Sequence, residues 1–143
     1  MKSKGERIRA TVGFAADERG EGIAYARVAR PGTSQRGALV RVPFRLQRMP
    51  ALLDREIGYA ALTAVATHLK ERGVERVGFV VDDPRLVEDL RERRDVPQPL
   101  GLPYVRLGCA LNQFREYDVA PLPGDGSDLS ARARAEVAMH IAA

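Results

Sequence analysis

The apolar residues of this chain change their spacing partway along, and that change limits the folds open to it. Up to about residue 46 they recur at every second position. Ile8, Ala10, Val12, Phe14 and Ala16 alternate with Arg7, Arg9, Thr11, Gly13 and Ala15, and Val40, Val42, Phe44 and Leu46 alternate with Arg41, Pro43 and Arg45. A two-residue period is that of a strand with one face buried. After Pro50 the stretch ALLDREIGYAALTAVATHLKERG places Leu53, Ile57, Ala60, Ala61, Ala64, Val65 and Leu69 at helical spacing, with Gly73 to end it. The domain is therefore of mixed α/β class.

The remaining elements follow from punctuation. The turn DERGEG joins the first strand to a return strand over Gly22 to Val28, and a Pro-, Gly- and Ser-bearing loop from Arg30 to Gly37 leads into LVRVPFRLQ. Proline has no N–H for a ladder, so Pro43 marks that third strand as an edge. Arg76 to Val81 is almost wholly apolar, as a strand covered on both faces is. A right-handed crossover lays it beside strand one and parallel to it. Residues 84–94 suit a short helix with Leu86, Val87 and Leu90 inward, and DVPQPLGLP is too rich in proline to be more than a connection. Tyr104, Leu107, Leu111 and Phe114 have helical spacing, YDVAPL reads as a short strand, and Ser127 or Asp128 in PGDGSD caps a final helix, SDLSARARAEVAMHIAA. The predicted order is strand, strand, strand, helix, strand, helix, helix, strand, helix.

At 143 residues the chain has the size of one domain, expected over 1–143 with residues 1–6 flexible. Its one cysteine, Cys109, sits in an apolar segment, where a buried thiol is expected. No run approaches a membrane span, and MKSKGERIRA lacks the apolar core of a secretion signal, so a cytoplasmic protein with no membrane partner is expected. The net charge of +4 is unevenly spread: residues 1–50 carry eleven Lys or Arg against four acids, a net +7, and the remainder carries −3. One half suited to phosphates and one suited to metal ions is a pattern a nucleic-acid enzyme would show. It also suits an ordinary soluble surface.

Ligand sites in α/β sheets gather at strand ends near the break in strand order, here where strands one and four adjoin. Asp82 and Asp83 end strand four, Glu56 stands near the head of the long helix, and Asp128 near the head of the last. Such acids repel one another unless a divalent cation neutralises them, and Mg²⁺ or Mn²⁺ held by carboxylates is the usual arrangement for phosphodiester chemistry. Each also has a structural explanation, since acids cap helices and favour their N-termini, and Pro84 is apt at a first helical position. With two histidines and one cysteine at these spacings, no zinc site is expected, and neither a phosphate-binding glycine loop nor a G-x-S-x-G elbow occurs.

The element order and these acids resemble the ribonuclease H-like superfamily, in particular one-domain ribonucleases H and reverse-transcriptase-like ribonuclease H domains. The resemblance covers about residues 7–138. It implies a five-stranded mixed sheet of order 3-2-1-4-5 with helices on both faces. REIGYAALTAV is similar to the family's first long helix and makes Glu56 a metal ligand; Asp83 with Val87 four residues on, and Asp128 with Ala131, are similar to two further ligand positions. The family's Asp-Gly-Ser at the end of strand one is replaced by FAADERGEG. Pairing the strands about Arg19 and Gly20 sets Ala15 at the position facing the site and leaves Asp17, the nearest acid, at the turn. The family's histidine before the last helix is missing from PLPGDGSD.

Two functions follow. One is a divalent-metal endoribonuclease that hydrolyses the RNA strand of RNA–DNA hybrids, with Glu56, Asp83, Asp128 and Asp17 on Mg²⁺ or Mn²⁺ and with Arg27, Arg41, Arg45 and Arg48 on the backbone. The other is a degenerate module of the same fold that binds nucleic acid or a protein partner without cutting. Monomer or weak homodimer is expected, Pro43 and its flanking arginines opposing edge pairing.

Overall fold

The computed structural model describes residues 7–30, 37–46, 54–92, 100–123 and 128–142. The lead 1–6 and Arg48 lie outside them. The elements are β1 (Ile8–Ala16), β2 (Glu21–Ala29), β3 (Ala38–Arg45), α1 (Asp54–Glu71), β4 (Arg76–Val81), α2 (Pro84–Glu92), α3 (Gly101–Leu111), β5 (Glu116–Pro121) and α4 (Asp128–Ala142). They form one five-stranded sheet in the order β3-β2-β1-β4-β5. β1–β2 and β2–β3 are antiparallel, and β1–β4 and β4–β5 are parallel, with Val12 level with Val81. This is the order and mixture that the resemblance implies.

The sheet separates two apolar layers. Ala10 and Val12 of β1 and Val77, Phe79 and Val81 of β4 meet α1, α2 and α3, through Leu62, Val65, Leu69, Leu86, Leu107 and Leu111. On the other face Ile23 and Tyr25 of β2 meet Leu129, Ala133 and Val137 of α4, with Ala15 packed against them. β1 and α4 approach so closely that a Cβ on Gly13 would lie 2.8 Å from the Leu129 carbonyl carbon. There the Phe14 N–H donates to Ser130 Oγ at 3.1 Å.

The β1–β2 turn is organised by Asp17. Its carboxylate accepts the N–H of Arg19 at 2.8 Å and of Glu21 at 3.0 Å, and Gly20, at φ 89°, supplies the left-handed step. Leu46 donates its N–H to Gly20 O at 2.7 Å, so by alternation the Pro43 nitrogen, three residues back, points out from the edge.

Three details differ from expectation. The inward stripe of α1 is Gly58, Ala61, Leu62, Val65, Ala66 and Leu69, while Ile57, Ala60 and Ala64 are partly exposed. The helix is thus rotated from the anticipated one, because alanines weigh little in choosing a face and Leu62 weighs heavily. α3 begins at Gly101, inside DVPQPLGLP, since Pro103 falls in the first turn where its missing N–H costs no bond. Cys109 is exposed, on the outer side of α3. Among the described residues no helix is long and apolar enough to cross a membrane.

Candidate functional site

The carboxyl ends of β1 and β4 lie side by side, and Asp82 and Asp83 follow β4 directly. Asp82 prolongs the ladder, donating its N–H to Val12 O at 3.1 Å. Asp83 turns the chain into α2: its Oδ1 accepts the N–H of Leu86 at 3.1 Å, three residues on, which is the geometry of an N-cap. The other carboxylate oxygen rests against the bare α-carbon of Gly58 on α1. Burial pushes the Asp83 carboxyl above its ordinary range; the N–H of Leu86 and the nearby Arg55 guanidinium oppose that rise. Beside it, Arg55 and Tyr59 of α1 both reach buried Asp89 of α2, the Tyr59 hydroxyl donating at 2.7 Å. Burial and that bond raise the Tyr59 phenol far above its usual range.

Phe14 and Gly58 occupy the two places from which further acids would meet Asp83. The β1 side chains directed at α1 are Ala10, Val12 and Phe14. The Phe14 ring comes within 3.3 Å of the point where a Gly58 Cβ would stand, the same point that Asp83 fills. Ala15 faces the opposite layer, with α4. The position facing the site is therefore held by Phe14, neither by Ala15 nor by Asp17, because strand alternation carries every second residue to the far face. Asp17 spends its carboxylate on the turn.

Glu56 is buried, at 5% exposure, but two helical steps of about 100° each set it about 160° round α1 from Gly58, away from Asp83. Asp128 belongs to the α4 layer; its side chain is 84% exposed and stands 3.9 Å from Arg27. Among the described residues no three His, Cys, Asp or Glu side chains converge as a metal-ligand set. One partly buried capping carboxylate between a phenylalanine and a glycine does not fit a pair of divalent ions, which need several shared oxygens.

The arginines singled out in the sequence are engaged with acids. Arg41 donates from Nε to Glu136 Oε2 at 2.7 Å, a bond that raises its pKa, and Tyr25 donates to the other oxygen of the same carboxylate. Arg45 pairs with Glu21 at 2.6 Å and Arg27 faces Asp128. Arg41 and Arg45 border a groove of about 440 Å³ floored by Ile23, Pro43 and Val137, whose wall also carries Asp17 and Glu21. At the end of the sheet where Asp83 lies, two other arginines are exposed: Arg19 on the β1–β2 turn and Arg85 in the first turn of α2. Neither side chain has an ion pair among the described residues. In the sequence both are single charges in turns; that they share one end of the sheet depends on the β1–β4 pairing. Phe14 and Gly58 carry no charge to mark them in the sequence, although Gly58 is in phase with Leu62, Val65 and Leu69.

No protein-family model and no curated protein sequence matches the chain. Its fold, however, is shared by solved structures. The N-terminal RNase H domain of Rv2228c from Mycobacterium tuberculosis superposes with a TM-score of 0.72 at 18% identity, covering 96% of this chain and 99% of that one. RNase H1 from the halophilic archaeon Halobacterium salinarum gives 0.70 at 18% identity over 94% and 98%. LC11-RNase H1, in complex with an RNA/DNA hybrid, gives 0.67 at 12% identity over 95% and 99%. At these identities the likeness establishes a divergent ribonuclease H-like fold.

Proposed function

From a ribonuclease H-like fold whose strand-end site holds Phe14 and Gly58 beside Asp83, we propose that the chain is a catalytically degenerate module that binds an RNA–DNA hybrid without hydrolysing it. The observation that carries this reading is the meeting of Phe14, Gly58 and Asp83 at one point. An aromatic ring and an α-carbon offer no oxygen to a cation, and Asp83 gives one carboxylate oxygen to a helix cap. Binding is the more economical use of the fold. The basic surplus of residues 1–50 and the two exposed arginines at the site end, Arg19 and Arg85, suit a phosphate backbone. A hybrid is favoured over a DNA duplex because recognition by shape and 2′-hydroxyls asks for no base-reading groups. The fold's likeness to LC11-RNase H1, a protein solved with such a hybrid, supports the same choice.

The test is a labelled hybrid titrated at several salt concentrations, then incubated with Mg²⁺ and with Mn²⁺. Salt-sensitive binding with the hybrid intact is expected, weakened by Arg85→Ala, with the salt slope reduced by about one. Metal-dependent cleavage that disappears in Asp83→Asn and in Glu56→Gln would instead establish the endoribonuclease, and no binding at low salt would remove both readings.

A further inference from the structure

α3 turns an apolar strip to solvent, flanked by the exposed Arg106. Leu107 and Leu111 point inward and are buried, whereas Leu102 and Val105 are 60% and 57% exposed and Cys109 is exposed beside them. Gly101 and Gly108 share this face, and a Cβ built on either meets nothing within 4 Å. At about 100° per residue, positions 101, 102, 105, 108 and 109 fall within an arc of about 120°. Next to this crest runs a groove of about 410 Å³ between α2, α3 and β5, walled by Tyr104, Gly108 and the exposed Tyr117 and edged by Arg91 and Asp118.

We propose that the chain self-associates through α3, two copies packing these helices antiparallel about a two-fold axis at Val105. The occupant is a second copy because the crest is complementary to its own reversal. Three residues before Val105 stands Leu102, and three after it Gly108; four before stands Gly101, and four after it Cys109. A two-fold axis at Val105 sets Leu102 of one copy on Gly108 of the other, and Cys109 on Gly101. Leu102 and Cys109 then each meet a position with no side chain, while Val105 meets its own copy on the axis, an arrangement of knobs and holes across an isologous contact. The glycines also permit an approach closer than the usual 8–10 Å between helix axes. One helix pair covers less than the roughly 800 Å² per partner of a stable interface, so the dimer forms in proportion to concentration.

Sedimentation equilibrium of the whole chain across the micromolar to millimolar range should show mass rising from monomer to dimer. Leu102→Glu, at a site outside the monomer's core, should abolish that rise and leave the melting temperature of the dilute protein unchanged. Oxidation gives a geometric check. In a Cys109→Ser background, Val105→Cys should form an intermolecular disulfide, since the axis brings this position against its own copy. Unaltered Cys109 should not, because eight residues place it about 12 Å along the helix from its counterpart, beyond the roughly 7 Å reach of a disulfide. A monomer at every concentration, association indifferent to Leu102→Glu, or Cys109 linking as readily as Val105→Cys would each overturn the proposal.

Discussion

A carboxylate that caps a helix and one that holds a cation respond differently to replacement by asparagine. Asparagine caps as well as aspartate does, and it carries no charge to bury. Burial raises the Asp83 carboxyl in the folded protein, so the stability linked to its proton is complete below the unfolded value and is lost as pH rises through the higher folded value. Asp83→Asn escapes that loss. Its melting temperature should match the wild type near pH 3 and equal or exceed it at pH 7; a deficit at pH 7 larger than the ~1 kcal/mol of a lost cap would contradict the capping role. The acids at the strand end, and a cap by one of them, were legible from VVDDPRLV; which of the pair caps was not, since the resemblance made Asp83 a metal ligand and it is Asp83 that caps. Their company was not. Glu56 and Gly58 differ by two positions in sequence and by half a helical turn in direction, and a charged residue near a helix start attracts notice that a glycine does not. The anticipated Ala15 was likewise one residue, and hence one face, from Phe14.

Helices and strands were recognisable because their apolar periods are long and unmixed, so the nine elements and their order follow from the chain directly. What joins them was less visible. Buried Asp89, at 5% exposure, ties α2 to α1 through Arg55 and Tyr59, yet in the sequence it is one acid among several in a polar helix. Asp89→Ala should destabilise the fold by about 3–5 kcal/mol, measured by urea unfolding, because it leaves Arg55 without its partner in a largely enclosed place. Asp89→Asn, which keeps an acceptor for Tyr59, should cost less. Across the sheet, Gly13→Ala would drive a methyl into the backbone of α4. A loss of about 1–3 kcal/mol is expected, with the near-ultraviolet signal of Tyr25, which packs in the same layer, disturbed.

For the molecule as a whole, several of the arginines on the described surface are already answered by acids: Arg7 by Asp118 at 2.5 Å, Arg41 by Glu136, Arg45 by Glu21. A duplex therefore meets fewer free guanidinium groups than the 23 Lys and Arg of the sequence suggest. If Arg19 and Arg85 make the main phosphate contacts, the plot of log affinity against log salt should have a slope of roughly −2, at about 0.9 per contact; a slope several times steeper would mean that the paired arginines exchange their acids for phosphate. The topology itself was legible, since a right-handed crossover leaves few places for β4. The close seat of α4 on β1 was not, because it depends on two backbones meeting at Gly13. That seat also sets a schedule. Phe14 waits for Ser130, 116 residues later. At about 5–20 residues per second of synthesis, the hairpin of β1 and β2 spends on the order of ten seconds with Ile23 and Tyr25 uncovered, a window in which a chaperone at the ribosome has an apolar surface to hold until the last helix arrives.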